Sequence, residues 1–254
     1  MRIGIVGDYN PATESHPATT SALFLAARAN GLTADIEWIS TPRVTEGALL
    51  RCDGLFAAPG SPYRSAGGML AALQFARERM RPMLATCGGF QYTLIEAVRN
   101  VLGIANADTA ENNTPGAVNV ITPVVCAVEQ RGEQDPKLVG QAKLTVVPDT
   151  QLAAAMGPGE HFEGFFCNYE PAAEWLPRFT EAGLRANAHG PQGELRGVEI
   201  TGHPFFIATL FQPQLTSKRS GRPHPLLVAY VNAVNEFGTN EKKAARKAAR
   251  KTAS

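Results

Sequence analysis

The chain has 254 residues, 44% of them hydrophobic and 19% charged, an ordinary balance for a folded protein that excludes a collagenous, disordered or disulfide-framework chain. Its formal charge of +1 conceals an asymmetry: residues 240–254 carry six Lys/Arg against one Glu, which leaves 18 minus 22, or −4, for the rest. A mildly acidic body gives no electrostatic footprint for nucleic acid, and no such partner is expected.

Four cysteines, Cys52, Cys87, Cys126 and Cys167, lie far apart in the sequence without a CxxC pair. Neither a zinc ribbon nor a disulfide scaffold is indicated, and no metal or other cofactor is expected. The opening run, residues 2–7, lacks the basic and then apolar pattern of a signal peptide. No apolar stretch approaches the ~20 residues that span a bilayer. A cytoplasmic location without membrane contact is the resulting expectation.

Residues 3–6 form a short apolar run that ends at Gly7-Asp8, the pattern of a buried parallel strand feeding a loop. Ser15-His16-Pro17 then offers a cap and a first-turn proline. Ala18, Ala22, Leu25, Ala26 and Ala29 make one helical stripe, closed by Asn30-Gly31. Strands are predicted over residues 34–39, 54–58 and 83–86, with a helix over 68–79 between the last two. The strand at 83–86 runs into Cys87-Gly88-Gly89-Phe90-Gln91, after which Leu94, Ala97, Val98 and Val101 recur at helical spacing.

From residue 118 the pattern changes to shorter strands, over 118–128, 142–147, 163–169, 197–200 and 205–211. A final helix carries Leu227, Tyr230, Val231 and Val234 on one face. The whole reads as one α/β domain over residues 1–238: a mostly parallel, flavodoxin-like sheet flanked by helices, with antiparallel strands added in the second half. Residues 239–254 form a basic tail with no large apolar side chain. It reads as a disordered or frayed helical extension, with an anionic partner as the alternative.

Cys87 stands where a strand, a sharp turn and a helix N-terminus meet. The turn aims the sulfur outward, and the helix dipole favours thiolate over thiol. Gly88 and Gly89 let backbone approach a bound acyl group, and the Gly88 amide can donate to its oxyanion. The same residues also suit a buried cysteine beside packing glycines.

At this point the sequence resembles a family. Leu84-Ala85-Thr86-Cys87-Gly88-Gly89-Phe90-Gln91 is similar to the nucleophile elbow of class I glutamine amidotransferases, most of all the amidotransferase domain of CTP synthase. Ala58-Pro59-Gly60 resembles the family's oxyanion strand, residues 99–103 with 107–111 the segment after the elbow, and Val198-Glu199 with residues 203–209 the approach to its catalytic histidine. The likeness covers most of residues 1–236 and implies the family's fold. It also implies Cys87 as nucleophile and the amides of Ser61 and Gly88 as oxyanion donors. Gly60, Gln91, Glu111, Asn168 and Tyr169 then stand at substrate-binding positions.

Two departures bear on mechanism. Where the family reads Phe-His-Pro-Glu, this chain reads Phe211-Gln212-Pro213-Gln214. An amide neither accepts a proton at neutral pH nor stabilises an imidazolium, so ordinary glutaminase activity is expected to be impaired. Where the family has His-Arg-Tyr-Glu, this chain has Cys167-Asn168-Tyr169-Glu170. The guanidinium that holds a carboxylate bidentately is lost.

A replacement base is sought on loops after the strands, which gather at one sheet edge. His16 is the first candidate, and Glu14 and Asp8 are weaker ones; helix capping and solvation are the competing readings. His203 reads as structural, and His161, His189 and His224 lack motif support. The expected function is a stand-alone, Cys87-dependent amide or acyl hydrolase or transferase acting on a glutamine-like small molecule. A non-catalytic ligand-binding or regulatory domain and a subunit serving a separate synthase are the alternatives.

Overall fold

The apolar runs of the first half become parallel strands because helices cover both faces of each. In the computed structural model, which describes residues 1–124 and 138–252, these elements are β1 (Arg2–Val6), α1 (Ser15–Ala29), β2 (Asp35–Ile39), α2 (Glu46–Leu50), β3 (Gly54–Ala57), α3 (Ala66–Glu78), β4 (Met83–Thr86) and α4 (Gly88–Asn100). β3 and β4 are buried at every residue.

The second half contains β5 (Ala107–Thr109), β6 (Val118–Pro123), β7 (Leu138–Val146), α5 (Gln151–Met156), β8 (Gly159–Cys167), β9 (Tyr169–Pro171), α6 (Leu176–Glu181), β10 (Leu184–His189), β11 (Leu195–Ile200), β12 (Phe206–Thr209), α7 (Pro213–Ser220) and α8 (Pro225–Thr252). A nine-stranded sheet runs in the order β2-β1-β3-β4-β12-β11-β10-β7-β8. It is parallel from β2 to β12 and antiparallel beyond. A three-stranded sheet, β5-β6-β9, lies apart from it. This is the mixed α/β architecture expected from the sequence.

Topology fixes the site. β4 lies between β3 and β12, so its carboxyl end, Thr86-Cys87, is flanked by the chain leaving β3 at Ala58-Pro59 and leaving β12 at Leu210-Phe211. The Cys87 amide donates to the Thr209 carbonyl at 2.9 Å, which fastens the turn to β12. β8, at the far edge, is brought back by the Gln212 amide, which donates to Gly164 O at 2.8 Å.

Several local expectations are corrected. Ser15 is the first residue of α1 rather than its cap; the preceding Glu14 is itself helical and caps with no side chain. The strand expected over 118–128 ends at Pro123, and its remainder, with Cys126, lies outside the described residues. The run at 163–169 divides into β8 and β9 because the chain turns at Asn168. α8 runs on through residue 239 to Thr252.

Candidate active site

Cys87 follows β4 with φ 53° and ψ −112°, a conformation uncommon for any residue but glycine. The bend lets a buried strand turn within one residue into α4, and the first-turn amides of that helix have no partner within it. Two glycines directly after the cysteine make the turn possible. A methyl group on Gly89 would lie 2.5 Å from the Ala57 carbonyl oxygen, so only glycine lets α4 pack this closely on β3. A methyl group on Gly88 would lie 3.0 Å from the Ser61 amide nitrogen, so the Gly88 backbone packs directly against the loop after β3.

Cys87 faces a cleft of about 1070 Å³ at the carboxyl ends of the parallel strands, where ligands of open α/β sheets bind. The residue is 8% exposed. Sγ lies 3.5 Å from the Phe166 carbonyl oxygen and 3.5 Å from Sγ of Cys167. The second contact departs from the sequence reading: cysteines separated along the chain are joined in space. Its one sequence signal is that Cys167 stands where the family has the histidine of His-Arg-Tyr-Glu. Contact with Cys87 and burial raise the Cys167 thiol well above its ordinary pKa.

Gln212 lines the same cleft and Gln214 lies behind it, fully buried. The Gln214 side-chain amide reaches Thr86 Oγ1 at 3.3 Å and Gln212 Oε1 at 3.4 Å. The two glutamines thus form a hydrogen-bonded chain beneath the cysteine turn. Gln214 Oε1 is buried without a partner among the described residues.

His16, Gly60, Ser61, Gln91, Glu111, Asn168 and Tyr169 all line this cleft. Gln91 donates to the Tyr169 carbonyl at 2.9 Å and accepts from Ser61 Oγ at 3.5 Å, linking the loop after β3 to β9. Glu111 feels two opposing effects: burial raises its pKa, and a hydrogen bond from Ser61 lowers it, with a net rise. Its Oε2 is buried and has no partner among the described residues.

His16 is at the cleft, as expected, but its ring is already engaged. Nδ1 accepts the Asn10 amide at 2.8 Å, which makes Nε2 the protonated nitrogen, and Nε2 donates to Pro59 O at 3.0 Å. No lone pair remains for a proton from Cys87. Burial lowers the His16 pKa, outweighing the Pro59 and Asn10 hydrogen bonds and the charge of Asp8, which raise it. Asp8 is equally committed, accepting from the Thr41 amide and hydroxyl and from the Arg64 amide. Glu14 points elsewhere, to Lys218 at 3.0 Å. In this structure the three candidate bases are engaged elsewhere: His16 and Asp8 tie loops together, and Glu14 pairs with Lys218.

The remaining histidines lie in structural contacts. His203 bridges Ala76 O and the Phe205 amide, His161 meets Gly157 O, His189 meets Gly193 O, and His224 pairs with Glu163 at 2.8 Å. Among the described residues no three His, Cys, Asp or Glu are grouped so as to hold a metal ion. No helix among them is long and apolar enough to cross a membrane.

Comparison with known proteins gives consistent results. The model of the glutamine amidotransferase class-I family matches residues 13–143. CTP synthase of Cytophaga hutchinsonii is 30% identical over 95% of this chain, and that of Carboxydothermus hydrogenoformans 33% over 92%; the match spans 46% and 44% of those proteins. The chain thus spans about half the length of these relatives. Among solved structures, the glutaminase domain of Trypanosoma brucei CTPS with bound acivicin superposes with a TM-score of 0.82 at 24% identity, covering 93% of this chain and 94% of that one. A glutamine amidotransferase of Thermotoga maritima superposes at 0.53 and 12% identity, covering 93% of each chain. The matching family model and the shared fold lead to one conclusion: this chain belongs to the class I glutamine amidotransferases and is related to the glutaminase domain of CTP synthase.

Proposed function

We propose that this protein is a Cys87-dependent amide or acyl transferase of a glutamine-like small molecule, in which hydrolysis of free glutamine is impaired. The observation that carries this reading is Oε2 of Glu111, buried in the same cleft as Cys87 and without a partner among the described residues. A carboxylate with one buried oxygen unpaired is unfavourable in the free protein, and the ammonium of an amino acid supplies that oxygen with a partner of opposite charge.

The chemistry rests on the surrounding groups. With its ammonium on Glu111, such a ligand directs its side-chain carbonyl toward the amides of Ser61 and Gly88. The Cys87 sulfur attacks the carbon, a C–S bond forms, and the two amides meet the oxyanion. The C–N bond then breaks as the amine leaves with the proton given up by the Cys87 thiol, a transfer that requires an acid–base relay, and subsequent attack by water requires a base. Gln212 supplies neither, because a carboxamide does not titrate near neutral pH. Loss of a general base slows such steps by about 10²–10⁴. An amine nucleophile from a separate synthase is a better acceptor than water, because it attacks without prior deprotonation.

A second reading, a non-catalytic ligand-binding or regulatory domain, is favoured by the hydrogen bonds of His16, which leave the sulfur with Phe166 O and Cys167 as its polar neighbours. Acivicin, present in the Trypanosoma brucei structure, separates the two. One adduct on Cys87 by peptide mass spectrometry, slowed by glutamine and by Glu111→Gln, is the expected result. Glutamine binding to a thiol that acivicin leaves untouched would replace the first reading by the second.

A further inference from the structure

We propose that Cys87 and Cys167 form a two-cysteine redox site, which a hydroperoxide oxidises to an intramolecular disulfide. This inference stands on the sulfur geometry and does not require the acyl-transfer reading.

The two sulfurs are 3.5 Å apart, within van der Waals contact but not bonded. A disulfide needs about 2.05 Å, so closure requires a relative shift of about 1.5 Å. Both side chains are anchored close to the final geometry. Cys87 is held by the bend between β4 and α4, and Cys167 ends β8 with its sulfur 3.6 Å from Leu210 O. Their accessibility differs in a useful order: Cys87 is 8% exposed at the cleft and Cys167 is 3% exposed. Both line the cleft, and the more exposed Cys87 is the readier target of an oxidant entering it.

The reaction balances without any group beyond the oxidant. The Cys87 sulfur attacks one oxygen of ROOH, the O–O bond breaks, ROH leaves with the thiol proton, and Cys87 becomes a sulfenic acid. The Cys167 sulfur then attacks the Cys87 sulfur; the S–S bond forms and the S–O bond breaks. Hydroxide leaves, and with the Cys167 proton it becomes water. Two thiols have lost two electrons and two protons, and the hydroperoxide has been reduced to ROH and water.

Cys167 is a weak attacking thiol at rest, because contact with Cys87, and then burial, raise its pKa. Oxidation of Cys87 to the sulfenic acid removes the thiol that makes this contact. Contact distance supplies the rest, because a resolving thiol beside the sulfenic acid reacts far faster than one in solution. The substitutions around Cys87 are consistent with this chemistry. Where the resemblance sets histidine, arginine, histidine and glutamate, this chain carries Cys167, Asn168, Gln212 and Gln214. An ordered pair of buried amides leaves no imidazole to direct the thiol toward hydrolysis.

The test is oxidation of the full chain with a few equivalents of hydrogen peroxide, followed by alkylation and peptide mapping without reductant. The expected result is loss of two hydrogens and a crosslink between the peptides holding Cys87 and Cys167, with Cys52 and Cys126 still alkylated. Dithiothreitol should restore both thiols. In Cys167→Ala, whose fold is checked by circular dichroism, peroxide should carry Cys87 on to sulfinic or sulfonic acid, raising the yield of those products roughly tenfold or more. The wild-type crosslink needs no variant, so a misfolded Cys167→Ala leaves the test intact. Sulfinic acid at Cys87 of the wild-type chain, a disulfide between two chains, or two thiols still free after peroxide would each overturn the proposal.

Discussion

Nε2 of His16 lies 3.0 Å from the carbonyl oxygen of Pro59, while Nδ1 of the same ring takes the Asn10 amide. One imidazole therefore clamps the loop after β1 to the loop after β3, directly behind Gly60. Gly60 has φ +107°, and a methyl group there would come 2.9 Å from the ring. The clamp works only for a neutral ring, because a protonated Nδ1 cannot accept.

His16→Ala should accordingly cost about 1–3 kcal/mol of stability through the unsatisfied Pro59 and Asn10 groups. The pH dependence has a definite sign. Burial lowers the folded-state pKa of His16, and also that of His203. Stability is fully present above the unfolded value of about 6.5. It is lost as pH falls from there through the folded value, because the unfolded chain takes up protons first. Denaturant titrations from neutral to mildly acidic pH should show this decline, with a shallower slope in His16→Ala; identical slopes would remove His16 from the account.

Glu111→Gln should stabilise the free protein and weaken its ligand. Burial raises the Glu111 pKa, so the charged carboxylate opposes folding at neutral pH and the amide relieves it, by about 1 kcal/mol. Affinity for glutamine should fall in the same variant. Thermal melts with and without glutamine measure both effects. A destabilised Glu111→Gln that still binds as tightly as the wild type would mean that the carboxylate is structural.

Gln214→Glu alone should be harmful. The side chain is fully buried, and Oε1 already lacks a partner among the described residues, so an added charge has only Thr86 and an amide to meet. A loss of about 1–3 kcal/mol is expected. Adding Gln212→His supplies a cationic neighbour and should recover part of that loss, a coupling measurable in a double-mutant cycle.

Gly89→Ala tests the turn itself. The new methyl would meet the Ala57 carbonyl at 2.5 Å, and relief requires α4 to move off β3 at about 1–3 kcal/mol. Unchanged stability would show that the close approach is not needed.

Much of the fold is legible in the sequence because β1, β3 and β4 are unbroken apolar runs with punctuating glycines, the pattern of strands buried on both faces. β10 is not, since Arg185 and Asn187 interrupt its apolar residues and its pairing with β11 contains register shifts. Short β5 and α7 carry too few residues for periodicity to register. The identities at Cys87, Gln212 and Gln214 can be read directly, but what they touch cannot. The Cys87–Cys167 contact joins positions 80 residues apart, and it depends on β8 returning across the turn from β12. The place of His16 in the chain assigns it to the cleft, yet tautomer and hydrogen bonding belong to the fold, and these remove the free nitrogen that a base needs.

Ammonia release from glutamine, compared between the wild-type chain and Gln212→His with Gln214→Glu, tests the central claim that glutamine hydrolysis is impaired because Gln212 and Gln214 supply no general base. The wild-type rate should lie about 10²-fold or more below that of the double variant. Wild-type turnover at ~1–10³ per second would contradict it.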